Sequence, residues 1–457
     1  MIEPVDVAGA TTAGGSGAGE HGPAALPRAA LRDLATGLQR CFRPGTRRSP
    51  LWRLGERFVV DLPGAPTLLV TRSPDDAKAI LTDRDGALSL GEALHRLTPH
   101  PVLFGGDSLI FLEGDEHVRE RRRMAPPFHG EMMRAYEQAL VEIAAERVEA
   151  WPTGRELEFV ELAQQFVLDV MRTVIFGVSK PERMRRLDRA MVRYCRVTES
   201  DGFLGAGILG VLFTGRWRRY PPLERAAAAV DEIVLEEIAE RRSGRSHRSD
   251  DCLALLLELG SDDDRPKDDA TLARDLRGLM LAGYETTAIT LGWVAEMLVS
   301  HPEVLGRLEQ SVAAGDHAYL DAVITEVMRL RPAFPFTGRR ARQEFELNGV
   351  RVPRGTLLVI SILAVHESPE IYPDPLSFRP ERFLDTRPGT YTWLAFGGGP
   401  HRCLGASLAL FESRVLMRTL LQRRRLHAVR ERGEPPRRTH PMLIPADGAR
   451  VRLEPRS

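Results

Sequence analysis

The stretch FGGGPHRCLG, Phe396 to Gly405, sets four glycines and a proline around one of the chain's four cysteines. A structural cysteine takes an apolar hiding place, whereas this one stands among turn-formers. The residues after it, ASLALFESRVLMRTLLQ, form a strongly helical run. Cys403 is therefore expected in the first turn of a helix that follows a glycine-rich bend. Free backbone N–H groups and the positive helix end favour thiolate there, and glycines let the backbone adopt positive φ and approach another group closely. Two readings stand: a helix-start cysteine without a ligand, or a thiolate offered to a metal.

Three further stretches decide between them. TEVMRLRP places Glu326 and Arg329 three apart on one helix face, and FRPERF, Phe378 to Phe383, adds Arg382. Alone, the first two read as a surface ion pair contributing ~0.2–0.5 kcal/mol. LAGYETTAITLGW, Leu281 to Trp293, sits inside a long helical pattern, yet Gly283 and two adjacent threonines are poor helix-interior choices. They read either as an opening in the helix or as threonines bonded back to it beside a solvent-facing Glu285. GDEHVRERRRMAPPFHG puts His117 and Arg121 four apart on one face, within a basic cluster (Arg119, Arg121 to Arg123) that a solvated surface also explains.

Together, and in their order along the chain, these stretches resemble the cytochrome P450 family, from about residue 30 to the C-terminus. Its cysteine pattern, Phe-x-x-Gly-x-(Arg/His)-x-Cys-x-Gly, is matched at every fixed position. The resemblance implies haem b, with Cys403 as the axial thiolate of its iron and Phe396, Gly397 and Gly405 shaping the loop. His401, His117, Arg121 and Arg339 become the cations and donors of the propionates, with Arg340 adjacent in register to Arg339. Ala282, Gly283, Tyr284, Glu285 and Thr286 match the oxygen-binding groove. There Thr286 is expected to hydrogen-bond dioxygen and Glu285 to relay protons. Glu326, Arg329 and Arg382 become a buried structural network.

The rest of the chain bounds this reading. Its 457 residues are 43% hydrophobic and 28% charged, enough for a large core. Sixty-three basic residues balance 63 acidic ones, so bulk charge suggests no nucleic-acid partner. Lys occurs only at 78, 180 and 267, an arginine bias pointing to a GC-rich bacterial genome. Unpaired Cys41, Cys195, Cys252 and Cys403 suit a reducing cytoplasm. Residues 1–27 read as a disordered tail with neither signal peptide nor anchor. The longest apolar run, Phe203 to Phe213, is far short of the ~20 residues that span a bilayer. Residues 28–457 are expected to form one domain, mainly α with small β-sheets, a single large helical domain around the haem. A hairpin is expected over Arg57–Arg72, helices over Glu131–Trp151, Leu157–Val178, Leu223–Arg241 and Leu272–Ser300, and strands over Glu344–Val352 and Thr356–Ile362.

The resemblance further implies insertion of one oxygen atom from O2 into a lipophilic substrate: a fatty acid, alkane, terpene or polyketide-like molecule. No flavin or iron–sulfur segment is recognisable, so electrons are expected from a separate ferredoxin or flavodoxin with its reductase. Arg402, Arg414 and Arg418 either face that partner or are ordinary solvated arginines. A peroxide-driven or non-oxidative P450, or a haem sensor without turnover, are the alternatives. Substrate contacts are expected near Leu90–Phe104, Phe203–Phe213, Leu279–Thr287, Phe334–Phe336 and the turn near Met442–Ile444.

Overall fold

The computed structural model describes residues 26–29, 37, 40–61, 66–83, 85–97, 100–105, 108–177, 180–198, 200, 220–244, 251–261, 267–439 and 442–456. Residues 1–25 of the expected tail and the apolar run 203–213 lie outside them. The chain divides into two compact units: 1–93, 335–376 and 389–401 in the first, and 94–334, 377–388 and 402–457 in the second.

The first unit is built on a five-stranded sheet. Its strands are β1 (Arg57–Val60), β2 (Leu68–Thr71), β3 (Leu88–Ser89), β4 (Phe336–Ala341) and β5 (Leu357–Ser361), in the order β1-β2-β5-β4-β3. β1 and β2 are the expected hairpin, with Arg57 opposite Thr71. β2 runs parallel to β5, while the β5–β4 and β4–β3 pairs are antiparallel. Residues before β1 join this frame: Leu26 packs on the core and the Pro27 carbonyl accepts the Val59 N–H at 3.0 Å. The fold therefore includes the last two residues of the expected tail. The single strand expected over 344–352 is instead a tight hairpin, Phe345–Leu347 against Val350–Val352, turning at Asn348 and Gly349 with φ of 45° and 80°. Two positive φ values in succession are the mark of a two-residue hairpin turn.

Helix α1 (Pro74–Thr82) starts where Ser73 caps it, with Pro74 at its first position and Asp75 and Asp76 in its first turn. Ile80 and Leu81 enter the core beside Leu358 and Ile360. The glycine-rich loop rests on the end of this helix. A Cβ at Gly399, whose φ is +65°, would stand 1.9 Å from the Leu81 carbonyl oxygen, so only glycine fits. Buried His366 holds the loop's approach: its Nε2 accepts the Leu394 N–H at 2.7 Å.

The second unit is helical. Its main elements are α2 (His100–Phe104), α3 (Gly114–Met124), α4 (Gly130–Ala150), α5 (Phe159–Phe176), α6 (Pro181–Thr198), α7 (Pro221–Arg242), α8 (Asp269–Val299), α9 (Ala318–Leu330) and α10 (Ala406–Arg423). α4, α7 and α8 fall within a few residues of their expected positions. α5 starts later than expected because Glu156–Glu158 form a strand, paired antiparallel with Arg450–Pro455, which pairs in turn with Arg424–Ala428. α6 escaped sequence reading because arginines crowd it, leaving a narrow buried stripe of Met184, Leu187, Met191, Tyr194 and Cys195.

α8 is the spine of this unit. Asp268 caps it, its Oδ1 accepting the Thr271 N–H at 2.7 Å, and its residues are buried almost continuously from Leu272 to Leu298. Trp293 donates its indole N–H to the Leu443 carbonyl at 2.9 Å. That carbonyl belongs to a short strand, Met442–Pro445, where a turn was expected. Lys267 ties α3 to α8, with Nζ 2.6 Å from Glu120 and 2.5 Å from Asp275. Burial pushes the Asp275 carboxyl up to about 6, against the pull of Lys267.

Candidate active site

Cys403 stands just before its helix rather than inside the first turn: Gly405 is the N-cap and α10 begins at Ala406. The Gly405 N–H still reaches back to the sulfur. Burial raises the thiol's pKa, opposed by that N–H and by Arg402 and Arg121. Yet Cys403 is also exposed, unlike Cys41, Cys195 and Cys252, which are buried. Cys403 is thus exposed as a residue while its thiol is poorly hydrated. A protonated thiol is favoured there, and thiolate needs a cation on the open side, which is the situation of a metal ligand.

Arg121 of α3 lies close enough to be raised electrostatically by Cys403, while burial lowers it. It is half-buried and makes no ion pair among the described residues. His117, one turn earlier on the same helix, is buried. Arg119 and Arg122 are exposed, as the surface reading required. A half-buried guanidinium without a carboxylate is costly unless an anion meets it.

α8 opens at one place. Leu279, Ala282, Gly283 and Thr286 are accessible where their neighbours are buried, and their spacing puts them on one helix face. Ala282 is exposed in mid-helix. The Thr286 hydroxyl donates to the Ala282 carbonyl at 2.7 Å, so the back-bonded reading of this threonine describes its hydroxyl here. Glu285 is buried, not solvent-facing. Gly283 has a packing reason beyond an opening: a Cβ there would stand 2.5 Å from the Met171 sulfur on α5.

One residue on, Thr287 turns the other way and hydrogen-bonds Glu412 of α10. Glu412 is buried, and burial pushes its carboxyl up to about 8, with the Thr287 hydroxyl lowering it. Its Oε2 has no partner among the described residues. This contact joins the helix that follows Cys403 to the helix that carries Thr286. Sequence reading passed over Glu412, although it interrupts the apolar stripe of Leu408, Val415 and Leu416.

Glu326, Arg329 and Arg382 form a network and not a surface pair. Arg329 donates to Glu326 through Nε at 2.7 Å and Nη2 at 2.8 Å, with both side chains fully covered. Arg382 Nε lies 3.3 Å from Glu326 Oε1, which also accepts the Arg379 N–H at 3.0 Å.

The first unit holds the remaining candidates. Arg339 on β4 is buried, with Nη1 on the Gly338 carbonyl at 2.8 Å, whereas Arg340 pairs with Glu92 at 2.8 Å. Phe396 packs edge-on against Trp393, Gly397 has a φ of 68°, and His401 is half-buried. Of the three arginines near the cysteine, Arg414, which lies in the second unit, is bidentate to Asp321 at 2.6 and 2.8 Å.

Among the described residues no cluster of three His, Cys, Asp or Glu side chains is placed to hold a bare metal ion. One accessible sulfur suits an iron that brings its other ligands in a macrocycle, and unpaired Arg121 suits that macrocycle's carboxylates. The residues present therefore fit a haem. The family model for cytochrome P450 matches residues 53–452. The chain belongs to the cytochrome P450 family. Similar P450s include "Putative cytochrome P450 137" of Mycobacterium tuberculosis, 37% identical over 380 residues, covering 83% of this chain and 79% of that one. "Putative cytochrome P450 135B1" of Mycobacterium bovis is 33% identical over 408 residues, covering 88% and 85%. The solved structure "Retinoic acid bound cyanobacterial CYP120A1" shares the fold, with a TM-score of 0.74 at 23% identity over 90% of this P450 and 94% of that chain. Family and fold support a haem-thiolate monooxygenase, and the family implies haem, O2, a redox partner and a substrate. No helix among the described residues is long and apolar enough to cross a membrane.

Proposed function

We propose that this P450 inserts one oxygen atom from O2 into a lipophilic substrate, using haem b held by Cys403. The carrying observation is the Cys403 thiol, accessible yet desolvated, with the Arg121 guanidinium beside it. When bound, the haem supplies an iron that activates O2, with the thiolate favouring O–O cleavage. The chain's own work is to hold, orient and protonate. Arg121 and His117 on α3 would meet the propionates; for Arg339 and His401 of the first unit that role rests on the family motif alone. Phe396, Gly397 and Gly405 would shape the loop that presents the sulfur, and exposed Ala282 leaves α8 low where a flat ring and a small gas molecule would need room, while Gly283 keeps that turn of α8 close to Met171.

Thr286 supplies a hydroxyl on that face. To donate toward dioxygen it must release the Ala282 carbonyl, a hydrogen bond with a net worth of ~1 kcal/mol. Glu285, buried one residue away, is the proton carrier that reloads it. This acid–alcohol pair favours the O2-dependent route over a peroxide-driven one, over a non-oxidative reaction, and over a sensor. Half-buried Leu279 and exposed Phe334 favour an apolar ligand such as a fatty acid, alkane, terpene or polyketide-like molecule. Electrons come from a ferredoxin or flavodoxin with its reductase, and three buried free thiols suit the cytoplasm.

The test begins with spectra. Cys403→Ala is expected to abolish the thiolate-type carbon-monoxide band of the reduced protein, and its survival would overturn the ligand assignment. Thr286→Ala is expected to divert reducing equivalents from product to hydrogen peroxide, read as the ratio of peroxide to product in turnover with a surrogate ferredoxin and lauric acid. Unchanged coupling would remove Thr286 from the mechanism, and oxygen-independent product in the unmodified enzyme would remove the monooxygenase reading.

A further inference from the structure

Arg277 lies on α8 two residues before Leu279, where the accessible face begins, and its relative exposure is 1%. A guanidinium so enclosed must have its donors answered. Nε donates to Asp231 of α7 at 2.6 Å. Nη1 donates to the Val102 carbonyl, to the Leu103 carbonyl at 3.1 Å and to the Tyr194 hydroxyl of α6 at 2.8 Å. The guanidinium also sits 5.4 Å from the centre of the Tyr194 ring. Tyr194 passes the hydrogen bond on, its hydroxyl donating to the Leu103 carbonyl at 2.8 Å.

Val102 and Leu103 belong to α2, a helix of five residues. Its last carbonyls have no partner within so short a helix, and a cation at that end is favoured by both hydrogen bonding and the helix dipole. α8 lets the segment come close: a Cβ at Gly278 would stand 3.1 Å from the Phe104 carbonyl oxygen, and one at Gly105 would stand 3.1 Å from Arg274 Cβ. Phe104 and Gly105 thus lie along α8 between Arg274 and Gly278, directly before the accessible face. Phe104 is half-buried and meets the edge of Phe111 at 6.2 Å.

We propose that Arg277, acting with Tyr194, is a positioning residue that pins α2 to α8 and so fixes Phe104 as a wall beside the Leu279–Thr286 face, setting the bulk of ligand admitted there. A hydrophobic residue would pack α2 as firmly; a buried cation reading two carbonyls fixes its register and angle as well. The assignment of that face to the haem chamber rests on the function proposed above.

The test uses Tyr194→Phe, which keeps the ring and removes one hydroxyl, and Arg277→Met, in full-length haem-loaded protein. Imidazole and 4-phenylimidazole are titrated against the ferric Soret band. In Tyr194→Phe the Kd for 4-phenylimidazole is expected to fall about fivefold as the wall loosens, the worth of one buried hydrogen bond, with imidazole unchanged within about twofold. Arg277→Met is expected to act in the same direction and more strongly. An unchanged ratio of the two constants, or a parallel change in both, would overturn the proposal. Hydrogen exchange reads the clamp without the haem: amides of 100–105 should exchange roughly tenfold faster in Tyr194→Phe while those of 325–330 do not change. Equal protection in variant and unmodified protein would overturn the clamp itself. Absence of a thiolate spectrum in the unmodified protein would instead remove the chamber assignment, and the exchange result would still decide the clamp.

Discussion

Glu326 and Glu412 are both fully buried in the second unit and are met in opposite ways. Glu326 receives the forked guanidinium of Arg329, Arg382 and the Arg379 N–H. Glu412 receives one hydroxyl, from Thr287, and keeps an oxygen without a partner among the described residues. The first carboxylate is compensated by charge and by several donors, the pattern of a structural network. The second is left to desolvation, which favours its neutral form. Burial alone thus says little about a carboxyl's role; the number and charge of its donors decide whether it stays an ion or holds a proton.

Removing the compensation at Glu326 should have the largest effect. Glu326→Ala takes the carboxylate from fully buried Arg329 and from partly buried Arg382, at a cost of about 3–5 kcal/mol. Urea unfolding and haem content of the purified variant check this, and a well-loaded variant of ordinary stability would break the comparison. Glu412→Gln should act through pH instead. Its folded carboxyl is raised to about 8 from 4.5, so the folded state keeps a proton that the unfolded chain releases. Its contribution is full below pH 4.5 and is lost as pH rises toward 8, by roughly 3 kcal/mol by pH 7. The glutamine variant should lose that downward slope, and an identical pH–stability curve would show that Glu412 does not titrate there. Thr287→Val should be mildest, costing about 1 kcal/mol for the lost hydrogen bond while moving the Glu412 titration higher still. A lower titration would mean that another donor serves Glu412.

The same contrast explains what could be read in advance. The cysteine loop, the His117–Arg121 pair, the Glu326–Arg329 spacing and the Ala282–Thr286 stretch stood out because each is a local pattern of rare residues at fixed intervals. The long helix and the hairpin were legible from periodicity. Glu412, Arg277 and Tyr194 were not, because each looks ordinary in its own helix: a glutamate amid serine and arginine, an arginine beside leucines, a tyrosine among arginines. Their meaning depends on what a second helix brings opposite them. The edges of elements were likewise missed where pairing came from far along the chain, as when Arg450–Pro455 turned the start of an expected helix at Glu156–Glu158 into a strand.

By itself, then, the sequence determined the family and singled out the cysteine loop and the long helix, since these rest on residue types and intervals that survive without any neighbour. Tertiary structure alone decided which charges are compensated. It left Arg121 without an ion pair among the described residues, gave Arg340 to Glu92 and Arg414 to Asp321, and left Glu412 with a single hydroxyl. The physical reason is that hydration, not identity, sets the state of an ionisable group, and hydration is known only once the chain has folded around it.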